Sequence, residues 1–325
     1  MTHPDDEFHP PTNDDPFWSE TAWFAFSVPE RKLAGWTYPF FRTNQDTCSA
    51  AVFLWDDRGD SPFDCRYYKQ LWHLPVPEQL SDFDLPNGLG YTVREPQRVY
   101  DLRYRDPDAD AVSFDLTFTA IMDPLHTKTS GPDGGHLDQL GRFTGTLVLD
   151  GETIAVDSYG ARDRSWGSRN PFGPHLMSAG EWKATQMPYS HATSDTVSFL
   201  TITANVTDDF PVIMGFHLRD GEVSRVVKGR RAILERDPAT DTATRVLVEG
   251  TDELGREFRA EGECVSRFVN FCNENLVGWN HLVRWDIDGV EAWGEQHENY
   301  SPVAFREYLR SRPGHSGSKV PGLLA

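Results

Sequence analysis

Ser113-Phe114-Asp115-Leu116-Thr117-Phe118-Thr119-Ala120 places Phe114, Leu116 and Phe118 on one side of the chain and Ser113, Asp115 and Thr117 on the other. A period of two is the signature of a strand with one face on a core. Short runs of the same character lie outward from it, at Thr21–Ser27, Ser49–Trp55, Arg98–Tyr104 and Arg142–Leu149. Others follow at Val197–Val206, Val212–Leu218, Arg245–Glu249, Arg256–Glu263 and His281–Ile287. Asp150-Gly151, Asp220-Gly221 and Asp288-Gly289 stand between such runs, and Asp-Gly is a strong two-residue hairpin cue. Helical periodicity is weak. One short helix is expected over Ser301–Arg310, with Ser301 as cap and Pro302 in the first turn. Many short strands with tight turns predict an all-β chain. Meandering hairpins favour barrels or curved sheets, which can enclose a ligand.

The 325 residues suit two domains. The acidic, Pro-rich residues 1–16 and the polar residues 313–325 read as disordered tails. The N-terminal domain is expected over 17–170 and the C-terminal domain over 171–312, meeting near the loop at 168–178. Ten Trp and twenty Phe provide rings that fill sheet cores and line apolar pockets.

A net charge of −19 repels phosphate backbones and anionic lipid, which argues against nucleic acid and membrane surfaces as partners. No run approaches the roughly 18 apolar residues of a membrane span. The first residues have no basic and apolar leader, so a cytoplasmic protein is expected, with Cys48, Cys65, Cys264 and Cys272 reduced and unpaired. The eleven His form no H-E-x-x-H, so no metal is expected. Gly88-Leu89-Gly90 lacks the third glycine of a dinucleotide fingerprint, and no G-x-S-x-G elbow is present. No cofactor is expected.

The densest chemistry lies in Gly151–Arg169, GETIAVDSYGARDRSWGSR. It begins as an alternating strand, breaks at Gly160, and then gathers Arg162, Asp163, Arg164, Trp166 and Arg169. One reading is an ion-paired corner joining two domains, with Asp163 clamped by Arg and Trp166 as a core plug.

Gly160, Asp163, Trp166 and Gly167 match a G-x-x-D-x-x-W-G signature. Together with His136–Arg142, Thr144-Gly145, the strand around Trp23 and Trp293-Gly294-Glu295, they resemble the hydroxyneurosporene synthase (carotenoid 1,2-hydratase) superfamily of lipocalin-like proteins. Arg162 and Arg164 stand where the hydratases carry more His, so the chain looks more like an uncharacterised bacterial branch. The resemblance implies two lipocalin-like domains around a pocket for an apolar, isoprenoid-like substrate. It also implies hydration, isomerisation or cyclisation of a carbon–carbon double bond, as in a lyase or an isomerase. A non-catalytic carrier of a hydrophobic ligand would share the fold.

For such chemistry Asp163 is the candidate acid, Trp166 faces the cation, and His136 or Gln139 holds water. Tyr159, Arg162, Arg169, Trp293 and Glu295 join Gln139 as candidate substrate-binding residues. Arg162 and Arg164 beside Asp163 would favour its ionised form, but on a strand they point to the opposite face. Trp293, Glu295 and His297 alternate, as on one face of a strand, and read as a barrel interior. A hydrolase with paired carboxylates would need two of them about 5 to 9.5 Å apart.

Overall fold

The computed structural model describes residues 2–128, 133–168, 188–203, 209–238, 240, 242–273, 276–300 and 310. Apart from Ser168 and Arg310, the 168–178 loop, the Ser301–Arg310 helix and the 313–325 tail lie outside the described residues. The chain divides into two compact units, one of residues 1–54 and 66–170, the other of residues 55–65 and 171–325.

The first unit is an antiparallel sheet. Its strands are β1 (Trp18–Val28), β2 (Leu33–Arg42), β3 (Thr47–Trp55), β4 (Tyr67–Pro75), β5 (Asp82–Asp84), β6 (Leu89–Glu95), β7 (Val99–Arg105), β8 (Val112–Ala120), β9 (Leu125–Lys128), β10 (Gly135–Leu149) and β11 (Glu152–Ser168). The order is β4-β3-β2-β1-β11-β10-β8-β7-β6-β5, with β9 beside β10. The run that opened the sequence reading is β8, with Phe114, Leu116 and Phe118 buried and Asp115 exposed. They join Phe24, Phe26, Tyr91, Tyr100 and Phe143 in one aromatic core.

Asp150 and Gly151 both take positive φ, 53° and 80°, the mirror-image turn that Asp-Gly favours. The turn locks β10 to β11 without a slip from Leu149↔Glu152 to Gly135↔Trp166. The expected break at Gly160 does not occur, and β11 runs on to Ser168. Gly160 instead allows a close approach. A Cβ there would lie 2.2 Å from the Ala25 carbonyl oxygen and 2.6 Å from the Phe143 ring.

Residues 2–16 are not a loose tail. Pro4–Asp6 form a 3₁₀ turn, and Asp6 is fully buried. Asp6 accepts hydrogen bonds from Tyr100 Oη at 2.8 Å, the Gln97 amide at 2.9 Å and Arg162 Nη2 at 3.2 Å. Polar composition predicted disorder, but two buried guanidiniums need anionic partners.

The second unit is a closed barrel of β12 (Tyr189–Thr193), β13 (Val197–Thr203), β14 (Asp209–Arg219), β15 (Glu222–Arg236), β16 (Ala243–Asp252), β17 (Glu257–Asn273), β18 (Leu276–Ile287) and β19 (Val290–Tyr300). Closure removes the sheet edges. Asp220-Gly221 and Asp288-Gly289 repeat the positive-φ turn. Part of the interior is apolar, with Phe199, Val246, Phe258 and Trp285. The rest is polar. Arg231 reaches across the lumen to Gln296 Oε1, with Nε at 3.0 Å, and lies 4.0 Å from Glu298, which also binds Arg236 at 2.9 Å. Among the described residues no disulfide joins Cys48, Cys65 or Cys264; the Cys272 side chain lies outside them. No helix is long and apolar enough to cross a membrane among the described residues.

Buried titratable groups on β18 and β19 make the barrel acid-sensitive. Burial holds His281 down to about 4 and His297 down to about 3. Burial would raise Glu298, but Arg236 and Arg231 hold it at about 2. All three folded values lie below the unfolded ones, so unfolding takes up protons. The stabilisation is complete above pH ~6.5 and is lost first at the histidines, then at Glu298 below pH ~4.5. Urea denaturation followed by Trp fluorescence is expected to show a loss on the order of 3 kcal/mol between pH ~7 and pH ~4. A flat profile over that range contradicts this account.

Candidate active site

The β10–β11 register sorts the dense segment into two faces. Arg162, Arg164 and Trp166 alternate onto one face, opposite Gln139, Leu137 and Gly135. Asp163 and Ser165 fall on the other, opposite Asp138 and His136.

The first face is a structural lock. Arg162 is fully buried, lies 4.2 Å over the Tyr100 ring, and donates to Tyr100 Oη and, at 2.8 Å, to Gln139 Oε1. Arg164, equally buried, donates to Glu20 Oε2 at 2.7 Å and to the Glu7 carbonyl at 3.1 Å. The corner reading therefore has the right chemistry with other acids, since Asp6 and Glu20 neutralise these guanidiniums. Trp166 stacks on His9, with ring centroids 4.0 Å apart. Gly135 makes room for it, since a Cβ there would meet the indole at 2.1 Å. Gln139 also donates to the carbonyls of Gln97 at 2.9 Å and Met122 at 2.7 Å. Its amide is engaged on the lock face, away from Asp163.

On the opposite face His136 sits in a chain of hydrogen bonds. Its Nε2 lies 2.9 Å from Asp138 Oδ2 and its Nδ1 lies 2.8 Å from Ser165 Oγ. Asp138 is 2% exposed, and His136 and Asp163 are half-buried. One donor atom from each of His136, Asp138 and Asp163 falls within 4.8 Å of the other two. Two carboxylates opposed across a strand pair repel each other. A proton or a cation shared within the cluster relieves that repulsion. These three are also the group that could hold a metal ion among the described residues. A search for metal-ligand spacing along the chain misses it, because it is assembled across two strands. On β1, Trp23 pairs with Asp163 and Thr21 with Ser165. Trp23 is buried and packs edge-on against Trp36 at 5.3 Å.

The structure thus brings together His136 and Asp163 and adds Asp138, Ser165 and Trp23. It separates from them Trp166, Gln139 and Arg162. Tyr159 lies under the Arg142 guanidinium at 5.8 Å, and Arg169 lies outside the described residues. Trp293 and Glu295 belong to the other unit. They do share one face with His297, but it is the outer face of β19. Ala292 is in the barrel's apolar cluster and Gln296 reaches Arg231 across the lumen, so even numbers point inward. Trp293 Nε1 donates to Glu291 at 3.2 Å, and Glu295 pairs with His297 at 2.7 Å.

Solved structures share this architecture. A Nitrosomonas europaea protein assigned as an AttH is 16% identical, with a TM-score of 0.57 over 88% of this chain and 92% of its own. CghA in complex with Sch210972 is 13% identical, with a TM-score of 0.52 over 88% and 89%. Kievitone hydratase from Nectria haematococca is 11% identical, with a TM-score of 0.50 over 90% and 91%. At such identities the likeness is one of fold. No curated protein is similar enough in sequence to count as a relative. Residues 2–299 match one family profile, a match that takes in both strand systems and the N-terminal stretch that pairs with Arg162, and the chain belongs to that family, the domain of unknown function DUF7064.

Proposed function

We propose that this chain is an enzyme that acts on an apolar, isoprenoid-like molecule by protonating a carbon–carbon double bond, leading to hydration, isomerisation or ring closure. The observation that carries the reading is the Asp138–His136–Ser165 chain with Asp163 beside it, on a face that also holds Trp23. Asp163 delivers the proton to one alkene carbon. The electron pair of the double bond forms the new C–H bond, and a cation develops on the other carbon. Trp23 shares the face of Asp163 and steadies that cation, a contact worth about 2 kcal/mol when desolvated. Water held by His136 then adds and gives up a proton to the cluster; without water, loss of a neighbouring proton gives an isomer or a ring. The name of kievitone hydratase, a protein of the same fold, is in keeping with this chemistry.

Solvent extraction of the purified protein, with mass spectrometry, identifies the molecule it retains. Incubation of that molecule in ¹⁸O-water is expected to give a product carrying ¹⁸O, or an isomer of unchanged mass. Recovery of the unaltered molecule alone would make the protein a carrier.

A further inference from the structure

The cluster on β10 and β11 has the chemistry of a metal site as well as that of a proton site. His136 Nε2 and Asp138 Oδ2 stand 2.9 Å apart, and one donor atom from each of His136, Asp138 and Asp163 lies within 4.8 Å of the other two. Neighbouring ligands on an ion with bonds of about 2.0–2.2 Å are roughly 3 Å apart. His136 and Asp138 are already spaced in that way, and Asp163 completes the set by closing on them. Three protein ligands leave a further position for water, as in an exchangeable site rather than a closed structural one.

The surroundings also suit a ligand set. A metal-bound imidazole typically donates its other ring N–H to a partner that fixes its orientation. His136 Nδ1 has such a partner in Ser165 Oγ at 2.8 Å, and Thr21 Oγ1 accepts from the Ser165 amide at 3.2 Å. Asp138 and Asp163 face each other across the strand pair, so a dipositive ion offsets a repulsion built into the register. Arg162 and Arg164 take their carboxylates from Asp6 and Glu20 on the opposite face. His136 and Asp163 are half-buried rather than sealed, which leaves the cluster open to a small ion. One imidazole with two carboxylates suits zinc or cobalt, whereas magnesium and calcium take oxygen ligands.

We propose that His136, Asp138 and Asp163 form a site for a divalent transition metal such as zinc, and that the ion switches off proton transfer by holding the Asp163 carboxylate as a ligand. Metal and proton are alternative occupants. Coordination forms bonds to the imidazole nitrogen and the carboxylate oxygens, and any proton shared by the three groups leaves to water. The switch rests on the function proposed above; the site does not.

The site is tested by cobalt(II) titration of the full chain, dialysed first against chelator and read by visible absorption. One equivalent of cobalt is expected to bind saturably and zinc to displace it, while magnesium and calcium in large excess do not. Ser165→Ala is expected to weaken cobalt binding about 10- to 100-fold, the usual cost of losing the partner of a ligand, and Asp163→Asn by at least as much. A cation held only by the charge of the carboxylates would not sense the Ser165 hydroxyl. No saturable binding, displacement by magnesium, or equal binding by the parent and both variants overturns the site. The switch is read on deuterium transfer from solvent to carbon of the molecule extracted from the parent. One equivalent of zinc is expected to lower it about 10²-fold or more, and chelator to restore it. Zinc bound with transfer undiminished overturns the switch. A chelator-treated parent that transfers no deuterium contradicts the function proposed above and the switch with it, and the cobalt titration still decides the site.

Discussion

Asp6→Ala lowers the unfolding free energy by about 3–5 kcal/mol, a large effect for a residue in an acidic, Pro-rich N-terminus. Asp6 and Arg162 are both fully buried, 3.2 Å apart, and Tyr100 Oη and the Gln97 amide donate to the same carboxylate. Removing the carboxylate leaves a guanidinium charge uncompensated inside the sheet, with two donors unsatisfied. The double variant Asp6→Ala/Arg162→Met removes both charges and is expected to recover much of the loss, since an apolar replacement of a buried pair is often near neutral. Urea denaturation of the two variants reads the difference. Asp6→Ala within about 0.5 kcal/mol of the parent, the range of ordinary surface changes, would mean that the N-terminal stretch carries none of this load.

Much of the fold is legible because period-two patterning and Asp-Gly turns are local signals. Phe114, Leu116 and Phe118 share a face in any strand that contains them, and Asp288-Gly289 closes β18 to β19 as its type demands. The same logic reaches further into the site than the motif does. A two-residue turn at Asp150-Gly151 pairs residues whose numbers sum to a constant, so Asp138 must face Asp163 and His136 must face Ser165. Asp138 and Ser165 were therefore within reach of the sequence, through register rather than through a signature. Trp166 shows the opposite case. It lies in the same signature as Asp163 but three positions away, so alternation sends it to the other face, against His9. What local patterning could not show is which acids meet Arg162 and Arg164. Asp6 and Glu20 lie far off in the chain, and only the folded sheet brings them together. The inward residues of β19 were missed for a related reason. Gln296 and Glu298 are polar, and only the lumen-crossing Arg231 reveals that they point inward.

Asp163→Asn is expected to cut turnover by at least about 10²- to 10⁴-fold, the usual cost of a lost general acid, while leaving substrate binding intact. Asn keeps the shape and removes the transferable proton. The fold is retained, because Arg162 and Arg164 take their carboxylates from Asp6 and Glu20. Ser165→Ala removes one hydrogen bond of His136 and keeps the one to Asp138, and is expected to cost less. Metal analysis of the same proteins separates a proton from a cation in the cluster. A metal bound in stoichiometric amount to the parent and lost from Asp163→Asn would put a cation where the shared proton is proposed.

The most direct measurement is deuterium transfer. The parent and Asp163→Asn are incubated in deuterium oxide with the molecule extracted from the parent, and mass spectrometry reads deuterium bound to carbon in the product. The account predicts one new carbon–deuterium bond per turnover with the parent and none above the uncatalysed background with Asp163→Asn. Equal incorporation by both proteins would contradict it, as would a parent product with no deuterium on carbon.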